Sequence, residues 1–467
     1  MSGHADRNSR SVAVALFFVA LWAVFQFAFP YHLAFKERYV LFLSDASWLS
    51  AYFKKPAPLA FLAGDWLTQF FLLRGVAPLV ATGLLLLFWD GCRHILKSLG
   101  SRHPALWPLI PVAALGFLIL FPEVPLAVLM EACLFAWAAA ALLRIRSKVL
   151  RLSAITLLLV LLVPSVRSLS DTGGLMRPGR EREYDYRIYF NACNGKWDRV
   201  AQMGLRNPHE SLITAYCYNI ALARDASLPD GLLKAYQPTY HGLFIPVKAG
   251  VECFKLMAST DALYLAGDYA QAQHSAMLGM TFSPRQRSAE MVRALTDIAF
   301  ANGDYETARR YLGILSRTSM YRRWAREGLR LLDTESDKLV VKNDCKDILV
   351  QHNDYRTSLA NIAATASDGR TAADYLLCLD LLNKDLDNFR KDYDRLYKDR
   401  YDLAGTPVLY QEALLMTFDE DTPPARQLTD YGISRTVLDG VADFLSGKEE
   451  LFRKSYWFYY KYAQPAQ

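Results

Sequence analysis

The sequence lacks every compact catalytic signature that identifies an enzyme from local pattern. There is no G-x-S-x-G, no Walker A and no G-x-G-x-x-G, which removes the direct hydrolase, NTPase and dinucleotide readings. The eight histidines are scattered, with no H-E-x-x-H or other ligand pair, so metal-assisted hydrolysis has no support and no metal or other cofactor is expected. Seven cysteines, an odd count without a C-x-x-C, argue against a disulfide framework and against a zinc site. Small buried packing residues are the better reading for them. Almost no stretch alternates apolar and polar residues in the period of a strand, so the fold class expected is all-α.

Excess charge is missing from the C-terminal two-thirds. Residues 1–166 hold 14 lysines and arginines against 7 acids, leaving 39 against 40 for the remainder. The formal net charge of +6 therefore belongs to the N-terminal block, and a basic nucleic-acid surface on the rest is excluded. Apolar residues, 52% of the chain, are concentrated in the same N-terminal block. A membrane block, 1–166, is thus expected to precede a soluble one.

The soluble block is organised by a recurring turn. Asn302-Gly303-Asp304-Tyr305 is closely matched by Ala266-Gly267-Asp268-Tyr269 and more loosely by Asn194-Gly195-Lys196-Trp197, and Gly231 falls midway between Gly195 and Gly267. The glycines stand 36 residues apart, a helical-hairpin period. Gly ends one helix in a left-handed turn, Asp opens the next, and the aromatic side chain plugs the hairpin. Such units cannot bury their faces alone and stack into a solenoid. Tetratricopeptide-like repeats are expected over 183–334, after a linker at 167–182, with degenerate hairpins and an aromatic terminus over 335–467.

In the membrane block the run at 11–29 is long enough to cross a hydrocarbon core of about 30 Å. Further crossings are expected near 76–89, 104–121, 125–143 and 150–163. Arg7 and Arg10, then Arg93, Lys97 and Arg102, then Arg144, Arg146, Lys148 and Arg151 flank these runs on one side, so the N-terminus is expected in the cytoplasm and the repeats outside it. Lys36, Arg38, Lys54 and Lys55 oppose that orientation, being basic residues in the first external loop. In a Gram-negative cell this is a multi-pass inner-membrane protein with a periplasmic domain. Glu131, about 9 Å into the fourth run, is read as an intramembrane acid, serving an ion pathway or proton relay or else helix packing.

The first loop, 31–74, places aromatics and leucines at helical spacing and is expected to form two amphipathic helices in the membrane interface. Its acids, Glu37, Asp45 and Asp65, suggest a second reading. Glycosyltransferases that use polyprenyl-linked sugars place a catalytic acid in such a loop, and this loop resembles that arrangement, although five crossings are few for those enzymes. Against it, the acids cap the helices or pair with Lys36 and Arg38.

Several stretches, taken in order, resemble an uncharacterised family of multi-pass membrane proteins from Bacteroidota. They are Pro30-Tyr31-His32-Leu33 with Phe35-Lys36-Glu37, Thr68-Gln69-Phe70-Phe71, Y-R-R-W-A at 321–325, Tyr410-Gln411-Glu412-Ala413, and Tyr456-Trp457-Phe458-Tyr459-Tyr460. The resemblance covers both halves and implies an envelope location and a repeat-containing external domain, with no activity attached. The function expected is a membrane-anchored helical-repeat scaffold that contacts the lipid bilayer and binds an envelope protein or peptide, and no nucleic acid.

Overall fold

The structure, a computed structural model, describes residues 2–54, 57–145, 178–248, 250–334, 339–351, 353–401, 405–418 and 424–463, together with 147, 149 and 152–153. Among the described residues the chain is helical and contains no strand. It divides into two compact units. The first comprises Met1–Tyr186, Ser283–Arg293 and Arg309–Glu335, and the second Arg187–Phe282, Ala294–Ala308 and Ser336–Gln467. The blocks expected from sequence are consecutive, whereas the first unit takes in two segments of the repeat half.

In the first unit, helix Ser2–Ala23 continues through a π turn, Val24–Ala28. Two helices, Ser9–Ala28 and Val76–Ser98, are long and apolar enough to cross a membrane. Leu109–Leu118 and Leu126–Leu142 are apolar but shorter. Pro108 precedes the former and Pro122 follows it, which confines the run expected at 104–121 to a ten-residue helix. The run expected at 150–163 lies, but for Leu152 and Ser153, outside the described residues, as do linker residues 167–177. Phe18, Phe25, Leu33, Leu85, Val112 and Leu129 meet in one apolar core. Val12, Leu16, Leu79, Ile110 and Leu134 of the same helices are more than half exposed.

The second unit is built from helical hairpins such as Cys253–Leu265 with Tyr269–Thr281 and Arg370–Leu382 with Leu386–Leu396. Gly195, Gly267 and Gly303 have φ of 67°, 84° and 72°, the left-handed conformation that stops a helix. The following Asp accepts from the backbone N–H three residues on: Asp268 from Gln271 at 3.1 Å and Asp304 from Thr307 at 3.0 Å. Tyr269 then packs edge-on against Tyr264, ring centroids 5.4 Å apart.

Gly231 differs. Its φ is −102°, it ends the short helix Leu228–Gly231, and an added Cβ would lie 2.5 Å from Leu222. Pro229 is the second residue of that short helix, and the left-handed residue of this stretch is Ala226, five positions before Gly231. Two further turns follow the same plan without glycine. Asn353-Asp354-Tyr355 has Asn353 at φ 64° and Asp354 capping Thr357, and Asn383-Lys384-Asp385 has Lys384 at φ 59° and Asp385 capping Asn388. Asn tolerates this region through its short polar side chain. Lys384 has a different reason to occupy it. Its Nζ donates to the carbonyls of Tyr460, at 2.7 Å, and Ala463, while the Tyr456 and Tyr459 hydroxyls donate to the carbonyls of Leu381 and Leu382. The C-terminal helix Tyr456–Tyr462 and helix Arg370–Leu382 thus satisfy each other's terminal carbonyls.

The turn geometry yields a stability prediction. Replacing Gly303 by Val is expected to cost about 1–2 kcal/mol for the left-handed backbone. The added Cβ would also stand 2.8 Å from Val341. Ala308→Leu is expected to cost about 1–3 kcal/mol by overpacking, since Ala308 is fully buried. Unchanged melting midpoints of the full chain in detergent for both variants would refute this account of the turn.

Candidate functional site

Three consecutive charged residues of the first loop form the most buried polar cluster of the first unit. Helix Pro30–Ala34 runs into a 3-10 turn, Phe35–Tyr39, where successive side chains point about 120° apart. Lys36, Glu37 and Arg38 therefore leave the turn in three directions, each at most 4% exposed. Lys36 Nζ donates to the carbonyls of Phe121, at 2.6 Å, and Val124, at 2.7 Å. Arg38 pairs with Glu290. Glu37 accepts from the Tyr321 hydroxyl at 3.1 Å, and that hydroxyl stands 3.4 Å from Glu290.

The backbone reinforces this clasp. Ser288 Oγ donates to the carbonyl of Arg38 at 2.7 Å and accepts from Met291 N–H, and Ala289 N–H donates to the carbonyl of Val40 at 3.2 Å. The first turn of helix Ala289–Ala301 is thereby capped by the loop. Elsewhere Glu183 accepts from the backbone N–H groups of Tyr31 and His32 and meets His32 Nδ1 at 2.6 Å, while Phe35 stacks on Tyr186, ring centroids 4.4 Å apart.

Two carboxylates and one guanidinium share this buried space, and the Coulomb balance is unfavourable to a second negative charge. Burial pushes the Glu37 carboxyl up to about 7 against the pull of Arg38, and Glu290 adds to the rise. Burial, with both acids nearby, raises the Tyr321 hydroxyl well above its ordinary value, so it remains a donor.

The first loop forms two helices, Ala46–Tyr52 and Pro58–Thr68, with Phe53, Leu59 and Trp66 exposed. The loop folds into the first unit, with Phe42, Tyr52 and Phe61 in one small core. Of its basic residues, Lys36 and Arg38 find protein partners. The three acids are engaged separately. Asp45 pairs with Arg317 at 2.7 Å rather than capping helix Ala46–Tyr52, and Asp65, 2% exposed, accepts from the Tyr52 hydroxyl at 2.8 Å. Glu37, Asp45 and Asp65 thus hold three different partners, and among the described residues no group of acids, histidines and cysteines could hold a metal. The cavity beside Lys36, bounded by Thr68, Val124 and Pro284, measures about 10 Å³, room for one water. Glu131 turns inward on helix Leu126–Leu142 at 5% exposed.

Sequence reasoning missed the partners: Glu183, Ser288, Glu290, Arg317 and Tyr321. They stand about 150 to 280 positions from the loop, and no local periodicity signals such a pairing. Roomier spaces occur in the second unit, as open polar grooves of about 510 Å³ beside Lys384 and about 460 Å³ beside Arg356.

No curated protein and no solved structure matches the chain. One family model matches residues 7–170 and 165–463, nearly the whole length, and the chain accordingly belongs to a family of unknown function, DUF6057.

Proposed function

We propose that this chain is a membrane-anchored, tetratricopeptide-like scaffold of the bacterial inner membrane that holds an envelope protein or peptide on its helical hairpins. The observation that carries this reading is the clasp: Glu37 and Asp45 bind the loop to Tyr321 and Arg317 of the first unit, and Asp65 is taken up inside the loop by Tyr52. The exposed apolar faces of the N-terminal helices suit lipid.

The same contacts support the orientation. The loop, the carbonyls at 121 and 124, residues 183–186 and segments 283–293 and 309–335 all meet, so they belong on one side of the bilayer. Lys36 and Arg38 are buried in protein and do not weigh as headgroup charges, which lifts part of their objection to an external loop. Five crossings with a cytoplasmic N-terminus satisfy these conditions. In spheroplasts, added protease is expected to remove a C-terminal epitope tag and spare an N-terminal one; the opposite pattern overturns the orientation. Glu37→Gln, Asp45→Asn and Asp65→Asn together are expected to leave in-cell cross-linking to the envelope partner intact. A glycan defect in that variant, with cross-linking retained, would favour the glycosyltransferase-like alternative.

A further inference from the structure

The groove beside Arg356 has a defined chemistry. Helices Tyr355–Thr365 and Leu386–Leu396 both pack on Arg370–Leu382 and on each other, and short turns make each of them antiparallel to that central helix. They therefore run parallel, with an open space of about 460 Å³ between them. Its floor includes two small residues one turn apart, Ala360 and Ala364, and its walls carry Arg356, Lys391 and Arg395.

The acids of this groove lie beneath its cations. Asp392, 2% exposed, binds Arg395 through Oδ1 at 2.8 Å and Arg356 through Oδ2, and Asp380, 3% exposed, binds Arg356 at 2.8 Å. These pairs fix both guanidinium planes while the side chains of Arg356 and Arg395 stay 35% and 53% exposed. Lys391 is exposed and makes no ion pair among the described residues. Three cations stand against two buried acids, which leaves the groove one positive charge in excess. What faces solvent is a row of positive charge, with both guanidinium groups held in place by buried acids.

We infer that this groove binds an extended acidic peptide segment with carboxylates at alternate positions. The spacing selects the pattern. Lys391 and Arg395 stand one turn apart, about 6 Å along the helix, and alternate side chains of an extended chain repeat at about 7 Å on one face. The lining residues span 356–364 and 388–395, so the groove is about 12 Å long and takes roughly four extended residues. A continuous acidic run places half its carboxylates away from the cations.

This inference rests on the scaffold reading and deepens it. Fluorescence anisotropy of the full chain in detergent tests it, with a labelled eight-residue peptide of alternating glutamate and serine and a control in which glutamine replaces glutamate. The glutamate peptide is expected to bind, at least tenfold more weakly to Lys391→Glu with Arg395→Glu, and severalfold more weakly to Lys391→Glu alone, which breaks no ion pair. Arg330→Glu, an exposed reversal in the first unit, should leave binding unchanged. The lysine-serine counterpart should gain affinity for the double variant. Equal binding of the glutamine peptide, or of the glutamate peptide to Lys391→Glu and the double variant, overturns the inference. So does absence of binding to the wild type. An envelope partner cross-linked equally to wild type and double variant removes this groove but leaves the scaffold reading in place.

Discussion

Arg38→Met is expected to destabilise the first unit by about 3–5 kcal/mol at pH 8, the typical cost of removing one partner from a buried ion pair. The guanidinium is the cation set against Glu37 and Glu290, and neither residue is more than 9% exposed. Without it, two buried negative charges face each other across the Tyr321 hydroxyl. The sign of the pH dependence follows. Glu37 titrates at about 7 in the folded chain against an ordinary 4.5, so the native state holds the extra proton between those values. Its contribution to stability is complete below about 4.5 and is lost as pH rises through about 7. The wild type is therefore expected to melt higher at pH 5.5 than at pH 8.5, by an amount worth about 2 kcal/mol, since roughly 1.5 of the pKa units lie above pH 5.5 at 1.36 kcal/mol each. Glu37→Gln should flatten that slope, because the amide stays neutral while its oxygen still accepts from Tyr321. Arg38→Met should regain much of its loss at pH 5.5. Melting in detergent at the two pH values checks all three, and a wild-type midpoint that rises from pH 5.5 to 8.5 would refute the arrangement.

What could be read from the sequence and what could not divide along physical lines. The Gly-Asp-Tyr turns were legible because a left-handed residue, a capping carboxylate and an aromatic plug are all local demands, satisfied within six positions at Gly267 and Gly303. The same demand at Asn353 escaped a reading keyed to glycine, although the capping Asp354 was there to be found. Gly231 shows the converse: glycine at the expected spacing serves close packing against Leu222, not a turn. The clasp was not legible at all. Lys36, Glu37 and Arg38 look like a solvated or interfacial charge run, and only the folded chain brings Glu290 and Tyr321 to them. The signal nearest to hand was opposite charge in a loop that the basic-residue rule wanted poor in cations, a conflict that burial of Lys36 and Arg38 in protein partly resolves.

Gly64 and Gly91 should respond to substitution in the opposite sense to Gly83, and the contrast is the sharpest packing test this unit offers. Helix Leu126–Leu142 lies against Pro58–Thr68 on one side and Val76–Ser98 on another. A Cβ at Gly64 would stand 2.8 Å from the backbone nitrogen of Ala127 and 3.0 Å from its Cα; one at Gly91 would stand 2.9 Å from Ala136 Cβ and 3.2 Å from the Ala136 carbonyl carbon. The atoms in the way are backbone or the first side-chain carbon, so no rotamer change relieves the clash and the helices must part. Close approach through small residues is also how helices gain dispersion energy where lipid supplies no hydrophobic drive. Gly64→Ala and Gly91→Ala are each expected to lower stability by about 1–3 kcal/mol, with the valine variants at or above the upper end. Their contacts on Leu126–Leu142 are nine residues apart, about 14 Å, so the two losses should add. Gly83 sits in the same Val76–Ser98 helix with open space where its Cβ would be. Gly83→Ala should therefore stabilise, by about 0.5–1 kcal/mol, through helix propensity alone. If melting midpoints in detergent moved in the same direction for all three alanine variants, the close packing of Leu126–Leu142 against its two neighbours would be refuted.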